Sequence, residues 1–177
     1  MTENANAGGS VSENSIPLPP KGIDQIINTF GNINDYIQPD GTLDVQWPIK
    51  FLDYVALPVP LILSFDHTKT ITHFRCHKLL VETFETVFTE IKNQGLEPEL
   101  FSFGGCFSFR PQRTGNKLSA HSWGIAIDLN SESNAQGTSG NMHPGIVSIF
   151  QQAGFEWGGD WPGRTKDLMH FQFCTGY

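Results

Sequence analysis

Four residues between positions 121 and 170 have the types and spacing to hold a metal ion and hydrolyse a bond with it. His121 lies in "SAHSWGIAIDLN", residues 119–130, and Asp128 follows it by seven residues at the end of an alternating, strand-like run. There Ile125 and Ile127 face inward, and Asp128 shares the opposite face with Ala126. His170 lies in "DLMHFQF", where alternation puts Leu168 and Gln172 on its side and Met169 and Phe171 on the other. Two imidazoles and a carboxylate suit a zinc ion that keeps its fourth position for water, and they suit other divalent ions as well. Asp167, three residues before His170, is a carboxylate placed to take a proton from that water. Strict alternation would put residues 167 and 170 on opposite faces, so Asp167 is expected at the bend where the strand begins, turned toward the metal. Each residue also has a structural reading. A histidine in an aromatic segment is commonly a hydrogen-bonded core residue, and an aspartate after a strand a turn or cap.

The combination has a family resemblance. "SAHSWGIAID" resembles the S-x-H-x-x-G-x-A-x-D motif, and "DLMH" the D/E-x-x-H motif, of the D-alanyl-D-alanine carboxypeptidase and L-alanyl-D-glutamate endopeptidase family. These are zinc peptidases of peptidoglycan, grouped with lysostaphin-type enzymes and hedgehog domains. "GGCFSFRPQRTG" resembles the family's arginine-bearing segment, and "FEWGGDW" the segment before its last histidine. The likeness spans roughly residues 70–177, and residues 1–70 show nothing comparable.

The resemblance implies one Zn2+ bound by His121, Asp128 and His170, with Asp167 as general base and a peptidoglycan stem peptide as substrate. It implies Arg110 beside the developing oxyanion, with Arg113 in reserve. Gly124 would let the chain turn between the first ligand and the strand. Ser119 either orients that loop, touches substrate or is a plain turn hydroxyl. Trp157 and Trp161 flank a glycine pair and are expected as cleft wall, with core packing an equal alternative for Trp157. Asp160, in the same segment, is a further substrate-side candidate and a rival base, but it lacks the motif spacing. Aspartate rather than glutamate in "DLMH" favours an L-alanyl-D-glutamate cut over removal of terminal D-alanine. A non-catalytic zinc-binding module, as in hedgehog-like relatives, is the alternative of another class. A thiol site on Cys106 has no Cys–His pattern behind it.

The elements that must position these residues are read from composition and periodicity. The chain has 177 residues, 14 of them phenylalanine, enough for one domain with an aromatic core. We expect residues 1–20 as a disordered tail and 21–177 as a single domain, its motif-bearing core about 70–177. A net charge of −7 argues against nucleic acid. The most apolar window, "FLDYVALPVPLIL", is too short and too interrupted to span a membrane. A monomer is expected. The three cysteines, Cys76, Cys106 and Cys174, are widely spaced, as in a protein made in a reducing compartment. "MTENANAGGSVSENS" has neither the basic start nor the apolar stretch of a signal peptide. With the resemblance, that suits an endolysin-like enzyme made in the cytoplasm and released to the wall.

A short helix is expected in "IDQIINTF", extended pieces in "WPIKFLDYVALPVPLIL", a long helix from about Thr72 to Asn93, and a shorter one from His143 to Gly154. Strands are expected in "ELFSF", "CFSFR", "GIAIDLN", "FEWGG" and "DLMHFQF". Helices mixed with short strands, without strict βαβ alternation, predict an α+β fold with a small antiparallel sheet flanked by helices. The family resemblance makes that a hedgehog and D-Ala-D-Ala peptidase-like arrangement.

Overall fold

The computed structural model describes residues 17–113 and 115–177. The expected tail therefore lies almost wholly outside the described residues. Six strands form one sheet in the order β2-β1-β3-β4-β6-β5. They are β1 (Leu52–Leu63), β2 (Asp66–His77), β3 (Phe103–Gly105), β4 (Ala126–Leu129), β5 (Glu156–Trp157) and β6 (His170–Gln172). Every pairing is antiparallel except β1 with β3. The helices are α1 (Gly22–Phe30), α2 (Gln46–Phe51), α3 (Val81–Asn93), α4 (Ser131–Asn134) and α5 (Pro144–Gln152). The mixed architecture and mostly antiparallel sheet agree with the expected class.

Helix α3 carries the anticipated stripe: Phe84, Val87, Phe88 and Ile91 are all buried, as is Leu80 just before it. Its start differs from expectation. Residues 72–77 belong to β2, which runs antiparallel to β1 with Phe74 opposite Val55 and Cys76 opposite Asp53. The β-branched and aromatic run "TITHF" suits a pleated surface better than a helix, and Phe74 and Cys76 alternate into the core. Strand β1 also runs through Pro58 and Pro60, where helix α2 followed by one continuous strand replaces the expected extended pieces. The ladder tolerates these prolines because the register with β2 shifts between Ala56 and Leu61. The segments "ELFSF" and "CFSFR" contribute only Phe103 to a strand, so Arg110 lies in a loop and does not end one.

Aromatic rings fill the interior between sheet and helices. Phe150 stacks on Phe171 at 4.3 Å, Phe155 meets Phe173 edge-on, and Phe84 packs tilted against Phe155. The three cysteines are free and buried, and burial raises their thiol pKa values.

His77 is a core histidine. Its Nε2–H donates to the Phe30 carbonyl at 3.1 Å, and its Nδ1 accepts from the Leu79 amide. Burial depresses its pKa to about 4. A folded value below the unfolded 6.5 means stability is full above pH 6.5 and is lost as pH falls toward 4. The full loss amounts to about 3 kcal/mol. We therefore expect acid denaturation of the metal-free protein to steepen in that window and His77→Gln to flatten it, measured by urea midpoints across pH.

Candidate metal centre and cleft

The site is assembled on one face of the central strands. In β4, Ile127 and Leu129 are fully buried in the aromatic core, so Ala126 and Asp128 turn to the other face. Strand β6 pairs with β4 so that His170 lies opposite Asp128 and Gln172 opposite Ala126. Glu156 of β5 lies opposite Gln172 and joins the same face.

His121 reaches this face from a 3-10 turn, Ala120–Trp123. Ser119 caps the turn, its Oγ accepting from the His121 amide at 3.4 Å. Gly124 ends the turn in the left-handed region at φ 69°, and a Cβ there would stand 2.9 Å from the His77 backbone nitrogen. Only glycine satisfies both demands. The turn also holds Arg110, whose amide donates to Ser122 Oγ at 3.1 Å and whose carbonyl accepts from the Ser119 amide at 2.9 Å.

Three donor atoms converge. His121 Nε2 lies 3.2 Å from Asp128 Oδ1 and 3.2 Å from His170 Nδ1, and the last two are 3.0 Å apart. All three residues are buried. The outer ring nitrogens fix the tautomers. His121 Nδ1–H donates to the Cys106 carbonyl at 2.6 Å, and His170 Nε2–H donates to Gln172 Oε1 at 3.1 Å. Gln172 is itself oriented, because its Nε2 donates to the Cys174 carbonyl at 3.4 Å. The inner nitrogens, His121 Nε2 and His170 Nδ1, thus both face the Asp128 carboxylate oxygen and each other, an arrangement that calls for a positive charge, a proton or a metal ion, among the three atoms.

The dimensions fit a metal ion. Ligands at bond lengths of ~2.0–2.1 Å around a tetrahedral ion lie ~3.3 Å apart, close to the observed triangle. A second shell that fixes each imidazole is the usual accompaniment of a metal site. Burial alone would raise the pKa of Asp128, but the charge and hydrogen bonds of the two histidines outweigh it and hold the carboxyl well below its ordinary range. Burial would lower that of His170, yet its hydrogen bond and charge interaction with Asp128 leave it raised above 6.5.

A cleft of about 390 Å³ opens over His170, within the range of small-ligand sites. Arg110, Arg113, Ser119, Trp161 and Asp167 line it. Asp167 sits just before β6, as expected, and its Oδ1 is buried without a hydrogen-bond partner. Its pKa is raised, first by burial and then by the negative charge of Asp128, while His170 and Arg113 oppose the shift. A half-buried carboxylate of raised pKa that lines a cleft can take up a proton. Trp161 lies across the His170 ring at 5.3 Å between centroids.

Two predicted contacts are not brought to the cleft. Trp157 lies opposite Phe171, on the core face of the sheet, and stacks on that ring. Its Nε1–H donates to the Leu168 carbonyl at 2.8 Å, so it braces the turn between Asp167 and His170. Asp160 is exposed and accepts from Gln151 Nε2 at 2.8 Å, on the far side of its segment. The glycine pair of "WGGDW" serves a close backbone approach. The Asp167 amide donates to the Gly158 carbonyl at 2.9 Å, and a Cβ on Gly158 would overlap the Asp167 carbonyl oxygen. Gly158→Ala should therefore displace Asp167 while leaving the three donor atoms in place. The expected result is unchanged metal content with hydrolysis reduced by roughly 100-fold, the effect of a 1 Å misplacement.

Gln172, Glu156 and Ser122 were not anticipated as site residues. Strand alternation from His170 is the signal for Gln172, and pairing of β5 with β6 brings Glu156 beside it. Nothing in the spacing signals Ser122.

Residues 112–173 match a family model described as D-alanyl-D-alanine carboxypeptidase. The matched span contains His121, Asp128, Asp167 and His170 and bears out the resemblance read from the motifs. No curated relative matches the chain.

Proposed function

We propose that the protein is a zinc peptidase that hydrolyses a peptide bond in the peptidoglycan stem peptide. The observation that carries this reading is the buried triangle of His121 Nε2, Asp128 Oδ1 and His170 Nδ1, with edges of 3.0–3.2 Å and both inner ring nitrogens facing the carboxylate oxygen. The match of residues 112–173 to a carboxypeptidase family model supplies the substrate class.

When bound there, a divalent ion supplies the Lewis acidity that makes water nucleophilic near neutral pH and polarises a carbonyl. The protein's own groups do the rest. Asp167, which lines the cleft beside His170, accepts the proton of the attacking water on its carboxylate and passes it to the leaving amine. Arg110, clamped to the turn that carries His121, faces the negative charge developing on the carbonyl oxygen. Arg113 lies near enough to Asp167 to stabilise its ionised form.

Aspartate in the base position favours an L-alanyl-D-glutamate endopeptidase acting in endolysin-like wall lysis. The description of the matched family favours a second reading, removal of terminal D-alanine. Digestion of purified muropeptides separates them. The endopeptidase reading expects new N-terminal D-glutamate, and release of free D-alanine alone would replace it with the carboxypeptidase reading. If zinc binds and no wall peptide is cut, the site is a non-catalytic zinc module. Among the described residues no helix is long and apolar enough to cross a membrane.

A further inference from the structure

The cleft carries a carboxylate that hydrolysis does not use. Glu156 lines it from β5, on the same sheet face as Gln172 and His170. The Trp161 indole N–H donates to Glu156 Oε1, which fixes the carboxylate beside a ring that itself lies over the imidazole of His170. Among the described residues no lysine, arginine or histidine forms an ion pair with Glu156. The cleft's cations, Arg110 and Arg113, come from the loop 106–118, so the site is positive along that loop and negative along β5.

We propose that Glu156, held by Trp161, is a subsite for a substrate ammonium group. A half-buried carboxylate without a cationic partner is costly to desolvate when a peptide fills the cleft, and an ammonium group offsets that cost. Trp161 and Tyr177 line the same cleft and give it an aromatic wall beside the carboxylate. The proposal rests on the peptidase reading and deepens it. It selects stem peptides whose diamino acid keeps a free side-chain amine, over those in which that amine is acylated by a cross-link.

The test uses two synthetic stem peptides, identical except that the third residue is lysine or Nε-acetyl-lysine. Cleavage is measured with the zinc-loaded chain, and equilibrium binding by calorimetry with Asp167→Asn. The lysine peptide should show about tenfold higher kcat/KM and tighter binding, the scale of one charge-assisted hydrogen bond. Glu156→Gln, whose amide oxygen can still accept from Trp161, should bring that ratio to about one. Equal treatment of the two peptides by the wild type, or an unchanged ratio in Glu156→Gln, overturns the subsite and leaves the peptidase reading intact. Discrimination in binding without any cleavage supports the subsite and overturns the peptidase reading. Failure to bind either peptide overturns both.

Discussion

Asp167→Asn is expected to leave zinc binding intact and to lower kcat on wall peptides by about 10²–10⁴-fold, the range for losing a positioned general base. Asparagine keeps the size and the acceptor oxygen of the side chain but cannot take a proton. The Asp167 amide bond to the Gly158 carbonyl involves only backbone and survives the change, so the fold around the turn is retained. The measurement is single-turnover hydrolysis with metal content determined on the same sample. Retained metal with full activity would remove Asp167 from the chemistry.

Asp128→Asn should weaken zinc binding by more than about 100-fold, the upper range for losing a group that only orients a metal-binding side chain. Asp128 is the only anionic member of the triangle, and its charge also raises the pKa of His170. In the wild type, protons compete with the metal for His170, so affinity should fall as pH drops through the raised value above 6.5. For the metal-free protein the sign is complementary. The protonated His170–Asp128 pair stabilises the fold below pH 6.5, and that contribution is lost as pH rises through the folded value. Asp128→Asn removes the stabilising pair and moves the proton competition at His170 to lower pH. Calorimetric zinc titrations at several pH values, with histidine titration followed by NMR, would detect an unaltered pH slope if this coupling were absent.

The grouping of the candidate ligands was more legible in the sequence than the architecture around it. His121, Asp128, Asp167 and His170 announce themselves because a metal site restricts residue type and spacing together, and the structure brings the three ligand candidates to one triangle. Arg110 and Arg113 were readable as cleft cations, but not the loop that holds Arg110, since its support comes from Ser119 and Ser122 at long sequence range. The sequence leaves Trp157 open between cleft wall, with its neighbour Trp161, and core packing. Period-two alternation in β5 and its pairing with Phe171 select core packing, and that pairing is not visible without the fold. The same alternation hides Glu156, whose importance depends on which strand lies beside it. The boundary between β2 and α3 was missed because apolar spacing in residues 72–80 satisfies a helix as readily as a strand, and only the hairpin partner β1 settles it.

The most direct test of the metal centre is equilibrium dialysis against zinc of the wild type and His170→Ala, with bound metal counted per chain. We predict one ion per wild-type chain and, in the variant, occupancy near zero at the same free zinc concentration. Equal zinc in both proteins, or none in the wild type at saturating concentration, would contradict the account.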